Sequence, residues 1–449
     1  MKTIEPAEAA KLVKDGFLAT HAQRLEMQKK RLAELVEYAR ENSPYLKKLY
    51  KELPDNFVLT DIPIMEKYDM IEHYDDWVTD RDIHLPDIEA FCNREGSDGE
   101  LYLGKYTVLH TSGTTGSPLY MARDRHRNLI HGQLIAQRLM NGIAPDIMDH
   151  TKHHIAAVIY AVHGASSYEG LLRQKYSVPG FEDNMRAVSV LGSIDEIVAE
   201  LNEFKPDTMS GYGSILTMLA LEKKAGRLDI SPQAIFNSAE ALSPDNHRLV
   251  EKAFGCPVKN NYCMTEGGEI AMTVDSPDML LNEDWIIVEP VDEDRNPVTD
   301  PHKWSGGILV TDLANFVQPI IRYYVSDCVR IEQISDDNIR LPKFEIRGRV
   351  NDVFIIDGKT FSTAGIGNKS EFWSEIVNLQ IVQIADDELQ LRFVWHTGAD
   401  REKAAQYCDE AAAYFVEHGC PKAKVSYSNE PPIKSQRGGK TPRYIDLRK

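Results

Sequence analysis

Between Thr107 and Gly255 short apolar runs alternate with helical ones, and this alternation constrains the fold more than any other feature of the chain. TVLHT at 107–111 leads into a Gly/Thr/Ser loop around Gly113, and a helical stretch runs from about Arg127 to Gly142. IAAVIYAV at 155–162 is nearly continuous in apolar residues, as expected of a strand covered on both faces, and it ends at His163-Gly164. Ser193 with Glu196 makes a capping box before a helix. DTMSGYG at 207–213 reads as the next strand, with Ser214 able to start a helix. IFNSAE at 235–240 is another strand, Ser243-Pro244 a cap with proline at the first helical position, and Gly255 the stop. Strand–helix units in series predict an α/β fold with a wound, largely parallel sheet.

The flanks differ. From Gln23 to Leu53 the spacing of Leu32, Leu35, Val36 and Ala39 is helical until ENSP at 41–44 breaks it. Beyond Trp285 the chain turns β-rich with Gly, Pro and Asp at the turns, the pattern of an antiparallel sheet or small β-barrel. The last part is a small α+β body. FII-DG-KTF carries a hairpin signal at Asp357-Gly358, IVQIADDELQLRFVW at 381–395 is a second hairpin, and a helix from Arg401 and the strand KVSY follow. The boundary is expected near Arg347–Asp352. It divides an N-terminal domain, residues 1–347 with the helical segment 1–105 included, from a separately folded C-terminal domain, residues 348–449.

Composition excludes several roles. Of 449 residues 42% are hydrophobic and 27% charged, so the chain is globular rather than disordered. Its formal charge of -18 repels nucleic-acid phosphates and anionic lipid. No stretch approaches the ~18–20 apolar residues of a membrane span, and MKTIEPAEAAKLVKDG lacks the apolar core of a signal peptide. A cytoplasmic protein is expected, with no nucleic-acid or membrane partner. Cys92, Cys256, Cys263, Cys328, Cys408 and Cys420 show no CxxC spacing, so free thiols are expected.

TSGTTGSP at 111–118 sets Thr111, Ser112, Thr114 and Thr115 around Gly113 and Gly116 directly after a strand. Glycines let backbone N–H groups converge on an anion and hydroxyls add donors without bulk, so this loop is suited to phosphate. It lacks the Gly-Lys-Ser/Thr of a P-loop, and an ordinary polar turn is the alternative. A cation must come from elsewhere. KSQRGGKTPRYIDLRK at 434–449 holds six Lys/Arg against one Asp, and Gly438-Gly439 gives Lys440 room to enter and leave a pocket. A solvated basic tail is the bland alternative.

With TSGTTGSP come SAEALSP at 238–244, NNYCMTEGG at 260–268, IIRYYVSD at 320–327, IRGRVND at 346–352 and Gly439-Lys440, in that order. Together they resemble the adenylate-forming enzymes, in the branch of phenylacetate–CoA ligases and capsule-biosynthesis (CapK-like) proteins, over nearly the whole chain. The resemblance implies a large N-terminal domain hinged to a small mobile one. It implies activation of a small carboxylic acid, aryl or short acyl, by ATP and Mg²⁺ to an acyl adenylate, then thioester formation with coenzyme A.

By the same resemblance Thr111, Ser112, Gly113, Thr114, Thr115 and Gly116 hold the β- and γ-phosphates. Ser238, Ala239 and Glu240 line the adenine, with Tyr262 against its face. Thr265 reaches the α-phosphate, Glu266 binds Mg²⁺, and Asp327 and Arg349 fix the ribose. Lys440 bridges the carboxylate and phosphate oxygens, and His163 lies beside the carboxylate. Taken singly, Tyr262 could be core, Glu266 a helix-cap acid, and Asp327 with Arg322 or Arg349 a surface ion pair.

Ser117, Cys263, Asn351-Asp352, Phe361-Ser362 and Gly367 depart from the family pattern, mostly in the region that closes for thioester formation. A carrier-protein thiol or an amine therefore stays open as the acyl acceptor. A nucleotide-binding protein without catalysis is the reading from another class, and a homodimer is left open.

Overall fold

A computed structural model describes residues 4–94, 99–111, 118–144, 147, 152–159, 168, 171, 183–240, 242, 244–349, 353–356, 359–362, 373, 375–395, 398–417, 419–434, 442 and 444–448. Ser112, Gly113, Thr114, Thr115, Gly116, Ser117, His163, Ser243, Asn351, Asp352, Gly367 and Lys440 lie outside the described residues.

The N-terminal layer is helical, with helices Pro6–Leu18, His21–Asn42 and Pro44–Leu49. Thr20 and Gln23 form a capping box at the start of the long helix. Leu32, Leu35, Val36 and Ala39 are its buried stripe, as their spacing predicts. Helix Pro6–Leu18 presents Ala9, Val13 and Gly16 inward. A Cβ at Gly16 would lie 2.1 Å from Oδ2 of Asp284, so only glycine allows this helix to approach so closely.

The loop expected to hold phosphate sits in a different frame from the one its sequence suggests. β1 (Thr107–His110) and β2 (Tyr120–Arg123) pair with each other antiparallel as a two-stranded sheet. The expectation that TVLHT opens the parallel sheet is therefore corrected. A four-residue strand, YMAR, lies between the loop and the helix Arg125–Leu134 and returns the chain along β1. That helix passes into a π-helical turn, Ile135–Leu139.

The wound sheet is built by β3 (Ile155–Ile159), β4 (Met185–Ser189), β5 (Thr208–Gly211), β6 (Ala234–Ser238) and β7 (Val258–Met264), which pair parallel in the order β4-β3-β5-β6-β7. Helices Ile194–Phe204, Gly213–Lys224 and Pro244–Phe254 are the crossovers, and the Ser193–Glu196 capping box is present. Gly255, at φ +69°, ends the last of them in the left-handed conformation glycine favours.

The same sheet continues antiparallel through β8 (Gly268–Thr273) and β9 (Met279–Leu281). The intervening β10 (Ile286–Val291), β11 (Gly307–Asp312) and β12 (Tyr323–Val325) form an antiparallel three-stranded sheet. β13 (Asp327–Ile331) and β14 (Lys343–Arg349) then return to the large sheet and complete nine strands in the order β13-β14-β9-β8-β7-β6-β5-β3-β4. Ile270, Leu281, Ile286, Ile308, Val310, Val329 and Phe344 make a core shared between this antiparallel end and the three-stranded sheet.

The C-terminal α+β body opens with the hairpin β15 (Val353–Ile356) and β16 (Lys359–Ser362), in register Ile356 opposite Lys359. β17 (Ile376–Ala385), β18 (Glu388–Trp395), β19 (Lys424–Ser428) and β20 (Tyr444–Asp446) form a sheet in the order β19-β18-β17-β20. Helix Lys403–Glu417 covers it. Its core, from Ile356 to Cys420 and including Trp373, Leu391, Tyr407 and Phe415, contains only residues of this body. The described residues of the basic tail are tied down: β20 pairs parallel with β17, Arg448 pairs with Asp446 and Asp386, and Lys434 donates to the carbonyl of Val190. Among the described residues no helix is long and apolar enough to cross a membrane.

Candidate active site

Open α/β sheets bind ligands beyond the carboxyl ends of their parallel strands. Ser238 is the last residue of β6, and it stands in register with Asn261 beside Tyr262 on β7. Ala239 follows at φ +62°, exposed, and the N–H of Glu240 donates back to the Ser238 carbonyl at 2.8 Å. This tight turn aims the Glu240 carboxylate at the start of the neighbouring helix, where Oε2 accepts from the Ser214 N–H at 2.9 Å. Glu240 therefore caps helix Gly213–Lys224, and the expected helix start at Ser214 is met by a side chain from the next strand.

Tyr262 reaches the other way. Its ring stacks on Phe344 with centroids 5.2 Å apart, and its hydroxyl donates to Oδ2 of Asp327 at 2.5 Å. Asp327 is buried and stands opposite the backbone of Arg349 in the β13–β14 ladder. These three positions are thus brought together. Arg322, the other partner weighed for Asp327, pairs instead with Glu289 at 3.0 Å and donates to the carbonyls of Thr60 and Ile62.

Thr265 and Glu266 occupy the turn from β7 to β8. Oε1 of Glu266 accepts from the Tyr323 hydroxyl at 3.1 Å, and the residue is buried. Thr111 closes the neck of the TSGTTGSP loop: its N–H donates to the Leu119 carbonyl and its Oγ1 accepts from the Leu119 N–H, both at 3.0 Å. The hairpin that carries this loop is joined to the Thr265–Glu266 turn by Arg123, the last residue of β2, which donates to the Thr265 carbonyl at 2.8 Å.

Arg123 belongs to a cluster that sequence reasoning missed. Arg127 donates to the Glu266 carbonyl at 3.1 Å and to Oδ2 of Asp312 at 2.7 Å. His131 lies between Oδ1 of Asp312 at 3.2 Å and Oε2 of Glu269 at 2.5 Å. Burial and the neighbouring Arg127 push Arg123 down to about 9. Burial opposes the charges of His131, Asp312 and Glu269, but their mutual attraction wins, so His131 is raised and both carboxyls are lowered. A signal was present: Arg127 and His131 fall at i and i+4 among Ile130 and Leu134, on the face that this helix buries.

Among the described residues no group of three or more His, Cys, Asp or Glu could hold a metal ion. Glu266 is a single hard carboxylate donor of the kind Mg²⁺ accepts together with phosphate oxygens, and the Tyr323 hydroxyl on Oε1 leaves Oε2 as its candidate metal-binding oxygen.

No protein-family model matches the chain. Over 211 residues it is 26% identical to Protein CapK of Staphylococcus aureus, a match covering 45% of this chain and 45% of that protein. The match thus spans less than half the length of this curated relative. Among solved structures, 2-hydroxyisobutyryl-CoA ligase in the post-adenylation state with 2-HIB-AMP superposes with a TM-score of 0.66 at 20% identity, covering 93% of this chain and 88% of that one. The same ligase in the thioesterification state, with 2-HIB-AMP and CoA, gives 0.57 at 20% identity over 96% and 91% of the two chains. The chain has the fold of 2-hydroxyisobutyryl-CoA ligase. The wound sheet, the antiparallel end and the small α+β body are its parts.

Proposed function

We propose that the chain is an ATP-dependent, AMP-forming ligase that activates a small aryl or short acyl acid and transfers the acyl group to coenzyme A. The observation that carries this reading is the joining of two motifs distant in sequence. Arg123, five residues beyond the TSGTTGSP loop, bonds the Thr265 carbonyl, so the hairpin that carries the glycine-rich loop is tied to the acidic turn. The 2-hydroxyisobutyryl-CoA ligase of the same fold is described with an acyl-AMP and with CoA, which supports the same two half-reactions here.

In this reading residues 111–116 donate hydrogen bonds to the β- and γ-phosphates, Thr265 to the α-phosphate, and Asp327 accepts from the ribose hydroxyls. Ser238, Ala239, Glu240 and Tyr262 bound the adenine, and Arg349 assists at the ribose. Glu266 holds Mg²⁺, whose contribution is to neutralise phosphate charge. His163 orients the acid. Lys440 carries the chemistry: attack of a carboxylate on the α-phosphorus brings two anions together, and an ammonium touching both stabilises the charge as it develops. Loss of one such donor typically costs ~10²–10³ in rate.

Acid-dependent exchange of labelled pyrophosphate into ATP tests the first half-reaction, and exchange with no acid of a broad panel would reject it. CoA-dependent AMP release without a protein acceptor tests the second; release only with a carrier protein or an amine would reassign the acceptor.

A further inference from the structure

Two consecutive carbonyls of one turn are each held by a different guanidinium: Thr265 by Arg123 at 2.8 Å and Glu266 by Arg127 at 3.1 Å. We infer that Arg123 and Arg127 are positioning residues that fix the Thr265–Glu266 turn for magnesium–nucleotide binding, with Asp312 setting the direction of the Arg127 fork. The inference rests on the reading of Thr265 and Glu266 given above and adds residues that touch neither nucleotide nor metal.

The geometry is directional. Arg127 is fixed at three points: its backbone N–H by the capping carboxylate of Asp124 at 2.8 Å, its Nε by Asp312, and its Nη2 by the Glu266 carbonyl. A planar guanidinium held at Nε has little freedom left at Nη2, so the Asp312 carboxylate determines where the Glu266 carbonyl must lie. Asp312 is itself fixed by the Ala314 N–H at 3.0 Å and by His131. The His131 ring in turn sits against Gly268, where a Cβ would lie 2.2 Å from Cε1. The turn is thus held by two guanidiniums at its carbonyls and followed at Gly268 by an imidazole that only glycine admits.

Charge supports the same reading. Arg123, Arg127 and His131 are set among the carboxylates of Asp312, Glu269 and Asp124, a buried ionic cluster joined to the turn proposed to meet phosphates. Packing alone gives no reason for it, because a buried ionic cluster adds little stability over apolar side chains of similar volume. What such a cluster does provide is one defined backbone geometry.

The test is ATP binding by the full chain, measured by titration calorimetry with and without Mg²⁺. Arg123→Lys and Arg127→Lys keep the charge and lose the fork. We expect both to remain folded by circular dichroism, to bind ATP without Mg²⁺ within about twofold of the unaltered chain, and to lose about tenfold or more in affinity for ATP with Mg²⁺. Asp312→Asn should act in the same direction as Arg127→Lys. Should either buried variant fail to fold, Arg123→Lys, at the partly exposed end of β2, still decides the matter. Variants that keep the full gain from Mg²⁺ overturn this inference while leaving the proposed function standing. An unaltered chain that binds no ATP overturns both.

Discussion

Tyr262 on β7 donates its hydroxyl to Asp327 on β13 across 2.5 Å, although three strands, β8, β9 and β14, separate them in the sheet. At the usual strand spacing the two would stand about 19 Å apart in a flat sheet. The run β7-β8-β9-β14-β13 therefore curls back on itself around Ile270, Leu281, Val329 and Phe344, and the small barrel foreseen in the β-rich sequence is this curl together with the three-stranded sheet. The curl carries an acid from the last strand to the end of the parallel sheet, where the nucleotide is proposed to lie.

Tyr262→Phe keeps the ring on Phe344 and removes the only group of this side chain that bonds Asp327. A hydrogen bond to a charged group contributes about 1.5–3 kcal/mol to stability, so urea unfolding should show a loss of that order, and ATP affinity should fall by calorimetry because Asp327 is no longer held in place. Unaltered affinity would remove the Tyr262–Asp327 pair from the ribose site.

Gly268→Ala must place a methyl group 2.2 Å from His131 Cε1 in a backbone at φ +69°. Both the left-handed conformation and the clash oppose it, and a loss of about 2–4 kcal/mol in urea unfolding is expected. An alanine variant as stable as the parent chain would show that the ring does not sit against the turn.

The His131 cluster predicts a signed pH dependence. His131 is raised on folding, so its contribution is complete below its unfolded value near 6.5 and is lost as pH rises through the folded value. Asp312 and Glu269 are lowered, so theirs is present above about pH 4 and is lost as pH falls toward their folded values. The difference in unfolding free energy between the parent chain and His131→Asn should be largest near pH 5–6.5 and shrink at higher pH. A difference that grows with pH would contradict the charged assignment.

Trp373 stacks on Tyr407 with centroids 4.6 Å apart inside a core made only of the C-terminal body. Trp373→Ala should cost about 3–5 kcal/mol there and lower one calorimetric transition while a second, from the large domain, stays in place. Melting as one shifted transition would mean that the two bodies do not unfold separately.

The parallel strands were legible because buried strands must be apolar nearly throughout, as in IAAVI of β3, and because capping pairs such as Ser193–Glu196 mark the helices between them. β2 was not legible. Four residues squeezed between a glycine-rich loop and a helix give too short a run to show alternation, and β1 pairs with it rather than with the parallel sheet. The Arg127–His131 pair was faintly legible, at i and i+4 on the apolar face of its helix, but charged side chains on a helix normally mark its solvent face, and the partners on β11 and the β7–β8 turn that bury this pair are distant in sequence. Helix Pro6–Leu18 was missed because its inward stripe is Ala9, Val13 and Gly16, small residues that give periodicity little to register.

The account turns on adenylation driven by a lysine from the small domain. Pyrophosphate exchange should be measured over a panel of aryl, short-chain and amino acids for the parent chain and for Lys440→Ala. The account predicts exchange that depends on one small weakly polar acid and falls by ~10²–10³ in the variant while ATP still binds. Exchange that proceeds at the parent rate without Lys440, or never appears with any acid, would contradict it.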